Sequence, residues 1–249
     1  MDHGRLTARH VIGHRGMPSA APENTLAGFR AAADAGAAWI ETDLRVIADG
    51  GIALCHDSTL DRTTNRVGPV ADLRREDLGA IDAGGWFGPE FAGEPLPSLS
   101  QLIDLLNERG LNAHLELKLG GGGRLEARRL VESLAAELER LAPGRSVVLS
   151  SFNHLALAHA KRELPQLEAA CCWDTSAMPE DWRSVAEFVG AAYIHLDQLG
   201  LTPQLIGECL SAGFVVNAWG EPADPRMRAN QLFNWGVSGI FTDHLPELL

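Results

Sequence analysis

The stretch "WIETDLRVIADGGIALCHD", residues 39–57, reads as a buried strand with a hairpin after it, yet it carries two acids where a core strand normally has none. Successive side chains of a strand point to opposite faces, so Glu41 and Asp43 project side by side. Two carboxylates this close repel each other unless one is protonated or a cation lies between them. We therefore expect a cation at this edge, with His56 returning toward it on the hairpin.

The rest of the chain repeats one pattern, in which a short apolar run precedes an amphipathic segment. Each predicted strand is followed by a helix, except the last, which is followed by the end of the chain. Eight repeats favour a (β/α)8 TIM barrel in the α/β class, and the first βα turn lacks the G-x-G-x-x-G of a doubly wound dinucleotide fold. The strands are predicted near residues 10–14, 39–43, 112–116, 146–151, 168–173, 192–196, 214–219 and 239–242.

Helix ends are marked by capping residues. Asn24 is placed to cap a helix that ends at Gly36, and an apolar stripe from Leu99 ends at Gly110. Thr202 and the following proline open a helix near the C-terminus.

One repeat is much longer than the others. About 70 residues separate the second and third barrel strands, and the surplus lies in residues 51–97, which are rich in turn formers. We expect residues 1–249 to form a single domain in which this insertion caps one mouth of the barrel, because long insertions of this kind are usually functional.

Composition restricts the class of protein. The chain has 45% hydrophobic and 22% charged residues, which is typical of a soluble globular protein. Its net charge of -12 argues against a nucleic-acid partner and against an anionic membrane surface. We find no apolar run of about 18 residues and no signal-peptide pattern, so we expect a cytoplasmic protein without membrane insertion. The four cysteines contain no C-x-x-C pair and are expected to be buried, free thiols.

Polar side chains that make poor core residues follow three neighbouring strands. The C-terminal ends of barrel strands face a common mouth, so these side chains should meet there. A solvated hairpin would also explain Glu41 and Asp43, but it does not explain the convergence of the whole set. The polar set consists of His14 and Arg15 after the first strand, Glu41 and Asp43 at the end of the second, His56 on the hairpin, and Glu116 and Lys118 at the end of the third.

The residue types in this set indicate a phosphate site. Three carboxylates without a cysteine or a histidine cluster suit one hard divalent cation, Mg²⁺ or Ca²⁺. Arg15 and Lys118 add cationic donors, which suit a phosphate that bridges the cation and the side chains. The ordinary pKa of a histidine is near neutrality, so of His14 and His56 one could accept a proton while the other donates one.

Nine short motifs in this order resemble the glycerophosphodiester phosphodiesterase family, most closely its cytoplasmic bacterial type. They are GHRG (13–16), PENT (22–25), IETDLR (40–45), LCHD (54–57), LDRTTN (60–65), PLPSL (95–99), LELK (115–118), SSF (150–152) and GIFTDHL (239–245). The resemblance implies a (β/α)8 barrel with a small insertion after strand two, which hydrolyses glycerophosphodiesters to sn-glycerol 3-phosphate and an alcohol. By position it implies that Glu41, Asp43 and Glu116 bind the metal, His14 and His56 are the acid–base pair, and Arg15 and Lys118 hold the phosphate.

The chain departs from the family at residues 217–222, "NAWGEP", where a Trp-Thr-Val-Asn run is usual. Trp219 is retained and is expected to wall the alcohol pocket. Asp243 is expected to organise the last βα turn, and Asn24 with Thr25 to cap a helix while Glu23 braces the site. His195 is equally compatible with the pocket and with the core.

Two alternatives stay open. One is a phospholipase-D-like lipid phosphodiesterase of the same superfamily, and the other is a catalytically silent barrel that binds phosphodiesters. The residues leave open the choice between Mg²⁺ and Ca²⁺, the preferred alcohol, which histidine is the acid, whether a cyclic intermediate forms, and the oligomeric state.

Overall fold

A closed barrel of parallel strands forms the centre of the molecule, confirming the predicted TIM-barrel fold. The structure, a computed structural model, describes residues 9–249. Within that range the strands pair in chain order, and the last pairs with the first to close the ring, while β3 is an antiparallel hairpin partner of β2. They are β1 (His10–Gly13), β2 (Trp39–Val46), β3 (Ile52–Leu54), β4 (Asn112–Leu117), β5 (Val147–Ser151), β6 (Glu168–Trp173), β7 (Tyr193–Asp197), β8 (Val215–Trp219) and β9 (Gly239–Thr242).

Helices surround the barrel. They are α1 (Leu26–Asp34), α2 (Arg75–Leu78), α3 (Leu99–Arg109), α4 (Gly123–Leu138), α5 (His154–Glu163), α6 (Trp182–Val189), α7 (Pro203–Ser211), α8 (Pro225–Trp235) and α9 (Leu245–Leu248), with 3₁₀ turns at Val70–Asp72, Pro89–Phe91 and Thr175–Ala177. Within the described range, no helix is both long enough and apolar enough to cross a membrane.

Most of the predicted helix ends are confirmed. The Thr202 hydroxyl caps α7, and α3 ends at Gly110, which adopts the left-handed conformation. Two predictions were wrong. Thr25, rather than Asn24, caps α1 through a bond from the Gly28 amide, and the last strand is followed by α9.

Two apolar layers pack against the strands of the barrel. One layer packs between the strands and the helices, and the other fills the barrel interior, where Ile12, Trp39, Tyr193 and Phe241 are buried together. Because the lower interior is packed with side chains, as in other barrels of this type, the space that the barrel itself offers a ligand lies at the C-terminal ends of the strands.

Residues 51–97 have a small core of their own. It includes Leu60, Val70 and Ile81, all buried, and Ile47 just before the segment packs with them. Strand β2 continues to Val46, three residues past its predicted end, because β3 pairs with it from Leu44 to Val46. This hairpin carries the insertion out of the barrel and returns His56 to the mouth. All four cysteines are free and buried, as predicted.

Candidate active site

Three carboxylates meet at the mouth, as predicted. Glu41 and Asp43 lie on β2, and Asp43 is paired in register with Glu116 on the adjacent strand β4. One oxygen from each side chain lies within 4.8 Å of the others. Asp43 is 1% exposed and Glu41 is 5% exposed, so water offsets little of their mutual repulsion.

The charges of this cluster are unequal. Burial and the neighbouring Asp43 raise the pKa of Glu41 to about 8. Burial alone would also raise the pKa of Asp43, but the Lys118 ammonium and the Arg15 guanidinium lower it to about 2. Glu41 thus stays protonated up to about pH 8 beside an ionised Asp43, so the two cationic side chains do not neutralise the whole cluster and a further positive charge would be stabilised there. The residues therefore fit a divalent cation with oxygen ligands.

This inequality predicts that cation binding releases protons. At pH 7 a carboxyl group with a pKa of about 8 is largely protonated, whereas a metal ligand must be deprotonated. We expect roughly one proton released per ion at pH 7, and the affinity for the ion to rise with pH until about pH 8. Calorimetric titration of Mg²⁺ or Ca²⁺ in buffers of different ionisation enthalpy measures this number, and binding without proton release would contradict the assignment of Glu41.

Two cationic side chains lie against the carboxylates. Lys118 Nζ is 2.7 Å from Glu116 Oε1 and 3.3 Å from Asp43 Oδ1. Arg15 Nε is 3.4 Å from Asp43 Oδ2, and it is a buried donor without a hydrogen-bond partner among the described residues. A buried, unused guanidinium donor beside an ammonium is well placed to bind an anionic oxygen.

Arg15 is held in an unusual backbone conformation. Its φ is 51°, in the left-handed region that residues with a Cβ seldom adopt. Its amide donates to Glu41 Oε2 over 3.0 Å, and its Nη1 donates to Glu23 Oε1 over 3.0 Å. These two bonds compensate for the strain and direct the guanidinium over the carboxylate cluster.

Each of the two predicted histidines is paired with an aspartate. His14 Nδ1 lies 2.7 Å from Asp243 Oδ1, and its Nε2 lies 4.0 Å from Glu41 Oε2. His56 Nδ1 lies 2.7 Å from Asp57 Oδ1. A carboxylate only accepts hydrogen bonds, so each Nδ1 carries the proton and each Nε2 is left to exchange one.

The two histidines differ in their surroundings. Burial alone would lower the pKa of His14, but the hydrogen bond to Asp243 raises it. Burial lowers the pKa of His56, despite the nearby charge of Asp43. Paired groups whose environments separate their pKa values are typical of acid–base pairs.

Sequence reasoning missed the roles of the aspartates. Asp243 was expected to organise a turn, whereas its carboxylate holds His14. The signal was available, because a closed barrel places the end of β9 beside the end of β1. Asp57 directly follows His56, but a pairing between adjacent residues on a loop leaves no periodic pattern in the sequence.

Residues of the "PENT" motif form hydrogen bonds to the carboxylate cluster and to Arg15. Asn24, with a φ of 54°, donates from Nδ2 to Asp43 Oδ2 over 2.8 Å and accepts from the Thr42 hydroxyl over 2.7 Å. Asn24 thus orients a carboxylate instead of capping α1. Glu23 binds Arg15 and so braces the site, as the sequence suggested.

These groups line one cavity of about 200 Å³. Trp219 forms one wall, in an edge-to-face contact with Phe152 whose ring centroids are 5.6 Å apart. His195 lies at the base of the cavity, where burial lowers its pKa to about 3, so it is neutral and bonded to Asn217.

The structure thus brings all the predicted site residues together, with Asp43 just beneath the cavity surface. The residues that line the cavity are His14, Arg15, Glu41, His56, Glu116, Lys118, Ser150, Phe152, Cys172, Asp174, His195, Trp219 and Phe241.

A parallel barrel with carboxylates, paired histidines and cationic donors at one mouth defines the class of barrel enzymes that act on phosphate esters. Within that class, residues 14–247 match the model of the Glycerophosphoryl diester phosphodiesterase family. Because this match covers nearly the whole chain, the chain belongs to that family.

Individual relatives agree with the family match. The chain is 33% identical over 239 residues to the glycerophosphodiester phosphodiesterase of Caldanaerobacter subterraneus subsp. tengcongensis, covering 96% of this chain and 95% of that protein. A solved structure of an Oleispira antarctica phosphodiesterase in complex with the product sn-glycerol-3-phosphate is 29% identical, with a TM-score of 0.90 over 97% of this chain and 95% of that one. A glycerophosphodiester phosphodiesterase from Agrobacterium tumefaciens is 26% identical, with a TM-score of 0.81 over 96% and 98% of the two chains.

Proposed function

We propose that this protein hydrolyses glycerophosphodiesters to sn-glycerol 3-phosphate and an alcohol. The observation that carries the proposal is the placement of two aspartate-paired histidines and two cationic donors around one cluster of three carboxylates. The product bound to the Oleispira relative supports sn-glycerol 3-phosphate as the product of this chain too.

In the proposed reaction, Arg15 and Lys118 bind the phosphoryl oxygens and offset the charge that develops there. One histidine accepts the proton of the attacking hydroxyl, and the other protonates the leaving alcohol. If water attacks, this step gives sn-glycerol 3-phosphate directly. If the neighbouring glycerol 2-hydroxyl attacks, it gives a cyclic phosphate, which water then opens to the same product with the two histidines exchanging roles. Each histidine exchanges its proton at Nε2, because Nδ1 is bonded to aspartate. Trp219 and Phe152 form an aromatic wall beside the reacting group and limit its contact with water.

Glu41, Asp43 and Glu116 would hold one divalent cation. When bound, the cation supplies polarisation of the phosphoryl group and a lower pKa for the attacking hydroxyl. Mg²⁺ and Ca²⁺ both fit an all-carboxylate site, and the ligand types disfavour zinc.

The proposal predicts activity that depends on a divalent cation. Protein treated with EDTA should release glycerol 3-phosphate from glycerophosphocholine and glycerophosphoethanolamine only after Mg²⁺ or Ca²⁺ is added back. An enzyme-coupled assay for glycerol 3-phosphate measures this release, and the ratio of the two ions identifies the preferred one. Folded protein that turns over neither substrate with either ion would contradict the proposal.

The finer assignments belong to the same proposal. We propose the cytoplasmic bacterial type, supported by four free, buried thiols, and one catalytic unit with residues 51–97 as its cap, supported by the return of His56 to the mouth. The lack of a nucleic-acid partner stays a prediction from the net charge.

The lipid phosphodiesterase alternative is less well supported, because such relatives are usually disulfide-bonded. A silent barrel is also less well supported, since it would be expected to lack one of the histidines or carboxylates found here.

A further inference from the structure

Arg62, in the insertion, binds two carboxylates at once. Its Nε and Nη2 donate to the two oxygens of Asp57, over 2.7 and 3.2 Å. Its Nη1 and Nη2 donate to the two oxygens of Glu23, over 2.7 and 2.8 Å. Each carboxylate is thus held through both of its oxygens, the arrangement that makes pairs of arginine and carboxylate directional.

Each of these carboxylates also holds a member of the proposed machinery. Asp57 Oδ1 accepts from His56 Nδ1 over 2.7 Å, and Glu23 Oε1 accepts from Arg15 Nη1 over 3.0 Å. Arg62 therefore connects an acid–base histidine to the arginine proposed to bind phosphate, through one carboxylate on each side.

The two histidines need different support, because they stand on different parts of the fold. His14 follows β1 inside the closed barrel, and its backbone amide donates to the carbonyl of Thr242 at the end of β9. His56 follows β3, the edge strand of the sheet. Arg45 of β2 donates to its carbonyl oxygen, but its imidazole is hydrogen-bonded to Asp57, which lies on the loop. A guanidinium that joins Asp57 to Glu23, which lies beside the barrel, connects that loop to the barrel.

We infer that Arg62 is a positioning residue, which holds His56 and Arg15 in their working orientations through Asp57 and Glu23. This inference rests on the proposed function. Without Arg62, the Asp57 and Glu23 carboxylates would lose their shared counter-charge and repel each other. Asp57, whose side chain is 29% exposed, would turn toward solvent, and His56 Nδ1 would lose the partner that fixes its proton.

The test compares Arg62→Gln and Arg62→Lys with the control Arg66→Gln. Arg66 lies in the same loop, is exposed, and makes its bonds to Thr64 through its backbone, which the substitution keeps. We expect Arg62→Gln to lower kcat by ~10- to 100-fold, which is the cost typical of losing a residue that orients a functional side chain, with a smaller rise in KM. The kcat of Arg62→Lys should lie between those of Arg62→Gln and the wild type, since an ammonium restores the positive charge but not the paired hydrogen bonds to both carboxylates. A purely structural role would leave KM unchanged and lower kcat only in proportion to the folded fraction.

A double-mutant cycle tests the route. If Arg62 acts through Asp57, then Arg62→Gln should cost far less in an Asp57→Asn background than in the wild type. The inference would be overturned if the kcat of Arg62→Gln were within twofold of that of Arg66→Gln. It would also be overturned if Arg62→Gln lowered kcat as much in both the Asp57→Asn and Glu23→Gln backgrounds as in the wild type.

A readout that does not depend on turnover separates this inference from the proposed function. The ¹H resonance of His56 Nδ1–H, identified by its loss in His56→Gln, should broaden through exchange with water in Arg62→Gln and persist in Arg66→Gln. Persistence in both variants would overturn the positioning role even in an active enzyme. Broadening specific to Arg62→Gln would support it even if wild-type protein turned over neither glycerophosphodiester.

Discussion

Replacing His14 or His56 by alanine is expected to lower kcat/KM for glycerophosphodiesters by roughly 10²–10⁴-fold, the usual cost of a lost acid–base group. Both rings lie in the cavity, and each has Nδ1 committed to an aspartate, so neither can substitute for the other. Steady-state assay of glycerol 3-phosphate release measures the loss. His159→Ala on the outer helix α5 is the matched control and should retain wild-type activity.

A diester with an activated leaving group tells the two histidines apart. p-Nitrophenolate leaves without protonation, so the variant that lacks the acid should recover much of its rate on a p-nitrophenyl ester of glycerol 3-phosphate. The variant that lacks the base should stay impaired on both substrates, because its hydroxyl still needs to lose a proton. Full activity of either alanine variant on glycerophosphocholine would remove that histidine from the mechanism.

The barrel was predictable because its signals are local and repeated. Apolar runs with capping residues between them recur along the chain, and every predicted strand is present within about three residues at its ends. The carboxylate pair was also predictable, since alternation along a single strand places Glu41 and Asp43 on one face. Glu116 required only the further step that neighbouring strands of a barrel end at the same mouth.

The supporting residues were harder to predict, because their partners are distant in sequence. Asp243 meets His14 only because the barrel closes, and Arg62 reaches Glu23 across a loop whose conformation no periodicity describes. Asn24 was misassigned for a related reason. An asparagine before a helix is ordinarily a cap, but here Thr25 satisfies the helix and frees Asn24 to bind Asp43. Side chains with two plausible partners are decided by tertiary packing.

Glu41→Gln and Asp43→Asn are both expected to abolish most activity, because each removes one negative ligand from the proposed cation site. Cation catalysis of phosphoryl transfer is worth several kcal/mol. At a factor of ten per ~1.4 kcal/mol, we expect kcat/KM to fall by about 10³-fold or more. Metal titration should show weakened binding of Mg²⁺ or Ca²⁺ in both variants, and a fully active variant would exclude that residue as a ligand.

The same two variants should change stability in opposite directions when EDTA is present. The pKa of Glu41 is about 8 in the folded protein and near 4.5 when unfolded, so between these values the folded state binds more protons and loses stability as the pH rises. Asp43 has a folded pKa of about 2, below its unfolded value near 3.8, so its contribution is fully present above pH 4. At pH 8, Glu41→Gln should raise the melting temperature, by roughly 2–4 °C for each kcal/mol regained.

Asp43→Asn should lower the melting temperature under the same conditions, because Lys118 and Arg15 lose the carboxylate that they both contact. Thermal melts at pH 8 and pH 5 in EDTA measure both shifts, and the gain from Glu41→Gln should shrink at pH 5, where wild-type Glu41 is protonated. Shifts of the same sign would contradict the unequal charges on which the cation site rests. An inactive Glu41→Gln protein that melts higher than the wild type would show that Glu41 destabilises the fold and is needed for the reaction.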